Sequence, residues 1–320
     1  MAPTTVPAPA GCGTKRSFSG TPLIGNSRMA TLYKPTLVSI FVCEHDEDDE
    51  DDGDDGDDEQ QEFQVPRGLI CASSEYFDKA FGETFEEGKT GKITLPDANF
   101  WVFECFVGWL YTQQVFWEHQ DSRSWEQPSL DRSYISANPV SYSLDVADLV
   151  DPVTWEFEHL FALYIFADKY DTRRLRSAVM EHIQTKLFQT IPVRYVPIFV
   201  DCIVVFNNLP GSSPLYKLIV DLVAYELLPL DPREREHYER LPLSVSGDIL
   251  GRLAQLARCL SCDECREDEH CEDESHPDIK SSEAVYKKEF CKYHEHESNE
   301  ERELCVRKWG QIRTERGIKV

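Results

Sequence analysis

A run of acidic residues near the N-terminus most constrains the fold of this chain. Residues 44–59 contain 13 acidic residues in 16 positions. Such a block repels itself and cannot pack, so it must form a solvated loop. The apolar, β-branched run at 36–43 predicts a buried strand, and the alternating run at 62–66 predicts a second one. The acidic residues are therefore predicted to be an oversized hairpin loop. The alternatives are a Ca²⁺ site or a surface that attracts a basic partner, but the ligand spacing of a calcium loop is not met.

Composition excludes several classes of function. The 320 residues include 33 Lys and Arg against 58 Asp and Glu, which gives a net charge of −25. This balance argues against nucleic acid and membrane surfaces as partners, because both need a cationic face. Residues 1–30 have no apolar signal core and are predicted to be a disordered leader. Eleven cysteines without any glycosylation sequon predict reduced thiols, in the cytoplasm or nucleus.

Beyond the hairpin, the sequence is mainly helical in its periodicity. Asp97 is predicted to cap an apolar helix, and Ser213 and Pro214 to begin another. The helical periodicity of apolar residues is absent at 113–154, which we interpret as an insertion. The predicted elements are a short helix at 70–81, a strand at 92–96, and helices at 99–112, 155–170, 172–188, 193–207, 212–228 and 246–260.

Three blocks of residues then resemble a known family. I-x3-S-x-Y-F-x3-F at 70–81 resembles the helix pair of BTB/POZ domains. I-x-L-P at 93–96 with F-x2-F-x2-W-L-Y-T at 103–112 is similar to that family's strand and following helix. F-A-D-K-Y-x4-L at 166–175 is similar to its next helix. The blocks occur in the same order as in the family. Their aromatic-rich composition looks most like that of the BTB proteins abundant in filamentous fungi.

The resemblance implies an α+β fold, in which a small sheet is flanked by a cluster of short helices. We expect a BTB/POZ-like domain at 31–190 that carries the acidic loop and the insertion. A helical extension follows at 191–260, and 261–320 is an acidic tail that bears Cys and His residues. The implied function is protein–protein interaction without catalytic activity. Catalytic signatures such as G-x-S-x-G and H-E-x-x-H are absent from the sequence.

Two departures from the family pattern bear on self-association. The family usually has Asp-Val before its first strand, where Thr36 and Leu37 stand here. Its second strand usually ends with His and a basic residue, and here Pro66 replaces the His before Arg67. The family's Asp and basic residue lie near the homodimer pocket. Homodimerisation is therefore in doubt, and Arg67 is predicted to be a surface cation.

The resemblance also implies a candidate contact with a partner. BTB adaptors that dock onto a cullin ubiquitin-ligase scaffold often carry a hydrophobic-x-Glu triplet just before the third strand. Phe85-Glu86-Glu87 stands at the matching place. An exposed Phe85 can fill a groove on a helical partner, and Glu87 can pair beside it. The alternative is a polar loop with Phe85 tucked against its own domain. Such adaptors also need a domain that binds the substrate, and no sequence repeat typical of such domains follows residue 188.

A zinc site near the C-terminus is a further alternative, and it would make the chain a zinc-stabilised nuclear regulator. Cys262-x2-Cys265 and Cys291-x2-His294 could supply a tetrahedral Cys₃His site, since each spacing lets two ligands converge on one ion. The segment between the pairs is acidic and poor in hydrophobic residues, which favours a solvated tail without a cofactor. The other Cys and His residues that crowd this region are Cys259, His270, Cys271, His276 and His296.

Overall fold

A computed structural model describes residues 36–44, 59–116, 152, 155–188, 197–227, 239, 241–261 and 290–315. These residues form an α+β fold, as the sequence predicts. The elements are β1 (Leu37–Glu44), β2 (Glu59–Pro66), α1 (Arg67–Ser73), α2 (Glu75–Ala80), α3 (Glu86–Thr90), β3 (Lys92–Leu95), α4 (Phe100–Thr112), α5 (Phe157–Lys169), α6 (Arg173–Phe188), α7 (Phe199–Asn208), α8 (Pro214–Leu222), a π-helical turn (Val223–Leu227), α9 (Leu243–Ser261), a 3₁₀ turn (Phe290–Tyr293) and α10 (Asn299–Glu315).

The three strands form one mixed sheet in the order β2-β1-β3. β1 is antiparallel to β2, which confirms the predicted hairpin, and parallel to β3. Val38, Ile40 and Val42 alternate along β1 and are buried, so one face of the sheet packs on the core. The acidic residues 45–58, predicted to form the hairpin loop, lie outside the described residues, as do 117–150 of the predicted insertion.

The helix predicted over 70–81 is divided into α1 and α2 at Ser74. This residue is extended, with φ −140° and ψ 126°. Its Oγ accepts a hydrogen bond from the Phe77 amide at 3.1 Å and donates one to the Tyr170 carbonyl at 2.5 Å. Ser74 is therefore the N-cap of α2 and also ties α2 to the end of α5.

Arg67 is half-buried, so its prediction as a surface cation was wrong. Its amide donates to the Thr36 carbonyl at 3.0 Å. Its guanidinium donates to the carbonyl of Phe81, which follows the last residue of α2. Because the last carbonyls of a helix have no partner within the helix, Arg67 satisfies one of them and holds α1 against α2.

The cap of α4 also differs from the prediction. Asn99, not Asp97, is the N-cap, and its side chain accepts a hydrogen bond from the Trp101 amide at 2.9 Å. Asp97 instead pairs with Lys169 of α5. The helix that follows buries Phe103, which has no exposed surface.

A single hydrophobic core joins the sheet to the helices of the extension. It includes Ile40 of β1, Phe106 of α4, Leu163 of α5 and Leu218 of α8. Ser213 is the N-cap of α8 and Pro214 begins it, as predicted. The domain boundaries proposed above stay predictions. No helix among the described residues is long and apolar enough to cross a membrane.

Candidate partner-binding and metal-binding sites

Phe85 lies on the surface beside the short helix α3, for which it is the N-cap residue. It is 53% exposed, and the other phenylalanines in the described part of the chain are buried or half-buried. Glu87 lies in the first turn of α3 and is partly exposed. The structure therefore presents both residues of the predicted contact to solvent, and the alternative of Phe85 tucked against its own domain is not what it shows.

Glycines fix the loop that carries Phe85. A Cβ on Gly88 would lie 1.8 Å from the carbonyl oxygen of Gly82, so the backbone of α3 packs directly on the preceding turn. The Phe85 amide donates to that same Gly82 carbonyl at 3.3 Å. Gly91 ends α3 in the left-handed conformation, with φ 68°, which costs glycine little. Phe85 is thus held by a tight backbone arrangement rather than by side-chain packing.

Tyr76 of α2 adds a second aromatic side chain to this region and is 38% exposed. Its ring packs edge-on against Tyr170, with centroids 5.1 Å apart. Partial burial raises the pKa of Tyr76, and the negative charges of Glu87 and Asp97 raise it further. We call Tyr76, Phe85 and Glu87 the Phe85 surface.

A second region of interest lies in the C-terminal segment, where residues 290–315 pack on α6. Phe290 and Trp309 stack face to face, with centroids 3.8 Å apart and planes at 8°. Phe188 at the end of α6 packs against Trp309 at 4.8 Å. The buried Gln184 side chain donates to the Phe290 carbonyl at 3.0 Å. This small aromatic cluster is separate from the main core.

Ion pairs strengthen the contact between α6 and the C-terminal segment. Arg176 binds the Glu295 carboxylate through two nitrogens, at 3.2 and 3.0 Å. Arg173 pairs with Glu297 and, at 3.0 Å, with Glu301. The Arg176 pair is only slightly exposed, and its two parallel hydrogen bonds fix the geometry of the contact.

The C-terminal segment brings four sulfur- and nitrogen-bearing side chains together, which we call the Cys/His cluster. The Sγ atoms of Cys291 and Cys305 are 3.3 Å apart, and His294 Nδ1 lies 2.9 Å from Cys305 Sγ. Potential ligand atoms of Cys291, His296 and Cys305 all lie within 4.8 Å of one another. The Nε2 atoms of His294 and His296 are buried without a hydrogen-bond partner.

The protonation of the Cys/His cluster argues against a thiolate nucleophile. Burial raises the pKa of Cys305 to about 12, and contact with Cys291 adds to the effect. Burial also lowers the pKa of His294 to about 3, with a further contribution from His296. In a Cys–His catalytic pair the thiol pKa is lowered instead.

The predicted ligand set of Cys262, Cys265, Cys291 and His294 stays a prediction, because the described residues include only its second pair. Cys262 and Cys265 lie outside the described residues. Cys291 and His294 do come together, and Cys305 from α10 joins them with His296. Cys305 was missed because it stands alone in the sequence, without a second ligand at the short spacing typical of zinc pairs. The only available signal was the spacing C-x2-H-x-H-x8-C over 291–305.

Comparison with known families identifies the N-terminal part of the chain. Residues 56–125 match the family model of the BTB/POZ domain. The matched range begins just before β2 and extends past α4, so it includes α3 and the Phe85 surface. No curated protein matches the chain.

Proposed function

We propose that this chain, which contains a BTB/POZ domain, is a protein–protein interaction module that contacts its partner through the Phe85 surface. BTB/POZ domains are interaction modules, so the partners are proteins. The proposal adds that the chain has no chemistry of its own. The high pKa of Cys305 supports this, because this thiol, whose Sγ lies 2.9 Å from His294 Nδ1, lacks the lowered pKa of an activated thiolate.

The observation that carries the proposal is the exposure of Phe85 on a rigid loop. Aromatic side chains, phenylalanine among them, are enriched in protein interfaces, where a few buried anchors carry most of the binding energy. An exposed phenylalanine that is already held outward loses little conformational freedom when it enters a pocket. The Gly88–Gly82 contact supplies that rigidity, since it fixes the backbone on both sides of Phe85.

The chemistry of the surface indicates what kind of partner fits. Phe85 requires an apolar groove, such as the one between two packed helices. Glu87 favours a basic residue or a helix N-terminus at the edge of that groove. We propose the N-terminal region of a cullin-type ubiquitin-ligase scaffold as the partner, because the BTB adaptors that dock there carry the same hydrophobic-x-Glu triplet. The chain would then be a substrate adaptor.

Calorimetric titration of the full chain with a cullin N-terminal region tests this partner. We expect micromolar or tighter binding that Phe85→Ala abolishes and Glu87→Gln weakens. Tyr111→Ala is the matched control, because Tyr111 is a comparably exposed aromatic, at 59%, on α4 of the same domain. It should bind like the wild type.

Different outcomes test the identity of the partner and the location of the binding surface. No heat at high concentration would exclude the cullin scaffold and leave an interaction module with another partner. Binding that Phe85→Ala and Tyr111→Ala leave equally strong would instead show that the cullin contacts a different face.

A further inference from the structure

The Cys/His cluster has the composition of a metal site. Its four side chains all come from residues 291–305: Cys291 from the 3₁₀ turn, His294 and His296 from the segment that follows the turn, and Cys305 from α10. Two sulfurs and two imidazole nitrogens in tetrahedral geometry are typical of zinc. Their convergence is independent of the Phe85 surface and of the proposed function.

We propose that Cys291, His294, His296 and Cys305 bind a structural Zn²⁺ ion, which fastens α10 to the 3₁₀ turn. This ligand set replaces Cys262 and Cys265 of the sequence prediction with two residues that the fold brings close. A structural zinc site has four protein ligands and no open position, which matches the four side chains available here.

The distances within the cluster are close to those that zinc requires. With Zn–S bonds of about 2.3 Å and Zn–N bonds of about 2.05 Å, tetrahedral ligands are about 3.8 Å apart for two sulfurs and about 3.6 Å apart for sulfur and nitrogen. The Cys291–Cys305 separation is 3.3 Å and the His294–Cys305 separation is 2.9 Å. These two separations lie within about 1 Å of the tetrahedral values.

Two observations favour zinc over a Cys291–Cys305 disulfide. A disulfide requires sulfurs about 2.05 Å apart and makes no use of the histidines. The buried Nε2 atom of His296 has no hydrogen-bond partner, and a buried polar atom of this kind is costly unless a ligand satisfies it. His294 faces Cys305 through Nδ1, so Nδ1 is its candidate ligand atom.

An ion can also reach the cluster. A cleft of about 590 Å³ opens beside it and is lined by Cys291, His294 and His296 together with Glu297, Ser298 and Arg302. The ligands sit between the aromatic cluster of Phe290 and Trp309 and the ion pairs to α6. Zinc would therefore stabilise a segment that is already docked, rather than create a separate module.

Metal analysis of the full chain tests the proposal. The protein is purified without chelators and without a histidine tag, and its zinc content is measured. We expect about one zinc ion per chain in the wild type, and none in the double variant Cys291→Ser/Cys305→Ser. The matched control is Cys262→Ser/Cys265→Ser, which removes the sequence-predicted pair and should keep its zinc.

Cobalt substitution of the wild type provides a readout that does not depend on variants folding. Tetrahedral thiolate–imidazole ligation gives cobalt strong visible ligand-field bands and near-ultraviolet thiolate charge transfer. We expect His294→Ala and His296→Ala each to weaken zinc binding at least about 10-fold, the lower end of what outer-shell changes cost.

Four results would overturn the proposal. The first is wild-type protein that holds no zinc when zinc is supplied and gives no tetrahedral cobalt spectrum. The second is zinc that persists in Cys291→Ser/Cys305→Ser. The third is loss of zinc in Cys262→Ser/Cys265→Ser, which would assign the ion to the other pair. The fourth is a Cys291–Cys305 disulfide found by mass spectrometry in freshly purified protein.

Discussion

Ser74→Ala tests how the BTB/POZ region is held together. The Ser74 hydroxyl is 2% exposed and makes two hydrogen bonds, one to the Phe77 amide at 3.1 Å and one to the Tyr170 carbonyl at 2.5 Å. Loss of an N-cap side chain costs about 1 kcal/mol. Loss of a buried hydrogen bond to a carbonyl costs about another 1 kcal/mol. The Tyr170 carbonyl keeps a weaker partner, since the Thr172 hydroxyl donates to it at 3.3 Å.

We therefore expect Ser74→Ala to lower the free energy of unfolding by about 2 kcal/mol. For a domain of this size that corresponds to a fall in Tm of roughly 4–8 °C. The matched control is Ser73→Ala. The Ser73 hydroxyl donates to the Leu69 carbonyl at 2.9 Å within the same helix, which adds little to stability.

Urea denaturation followed by circular dichroism measures both variants. The expected pattern is a lower midpoint for Ser74→Ala with an unchanged slope, and a Ser73→Ala curve that overlays the wild type to within about 0.5 kcal/mol. If the two serine variants are equally stable, the assignment of Ser74 as the tie between α2 and α5 is refuted.

Three further predictions follow from the same structure. Gly88→Ala places a Cβ 1.8 Å from the Gly82 carbonyl, so α3 must shift; thermal denaturation should show a loss of at least about 1–3 kcal/mol, and an unchanged Tm would contradict the close packing. Because Arg67 is engaged within its own domain, light scattering should give a monomer mass at every concentration, and a mass that doubles would refute this. Trp309→Ala removes the stack on Phe290, which is separate from the main core; hydrogen exchange should show lost protection in α10 alone, and uniform loss would show one cooperative unit.

The sheet and the main helices could be predicted because their signals are local. The apolar alternation of β1 specifies a strand with one buried face, and the strand at 92–95 needs only its own short pattern. The exposure of Phe85 was expected from the family resemblance alone, because Phe85-Glu86-Glu87 stands where partner-docking BTB adaptors carry their hydrophobic-x-Glu triplet. The strands and helices depend on residues that are close together in the sequence, so a single sequence is enough to predict them.

The remaining features depend on contacts between distant residues. Ser74 interrupts a helical pattern because its hydroxyl bonds a carbonyl 96 residues away. Asn99 is the cap of α4, and Asp97 pairs instead with Lys169, which is 72 residues away on α5. The Cys/His cluster depends on the docking of α10, which Arg176 helps to fix through a pair 119 residues apart. The spacing of residues along the chain does not indicate which distant residues will be in contact.

The central claim is that the chain binds a protein through the Phe85 surface, and site-specific crosslinking tests it most directly. A photoreactive benzoyl-phenylalanine is placed at position 85 of the full chain in living cells, and at position 111 as the control. We expect irradiation to join position 85 to peptides from helices of one defined protein, with no such adduct at position 111. No adduct at position 85, or the same adducts at both positions, would contradict the claim.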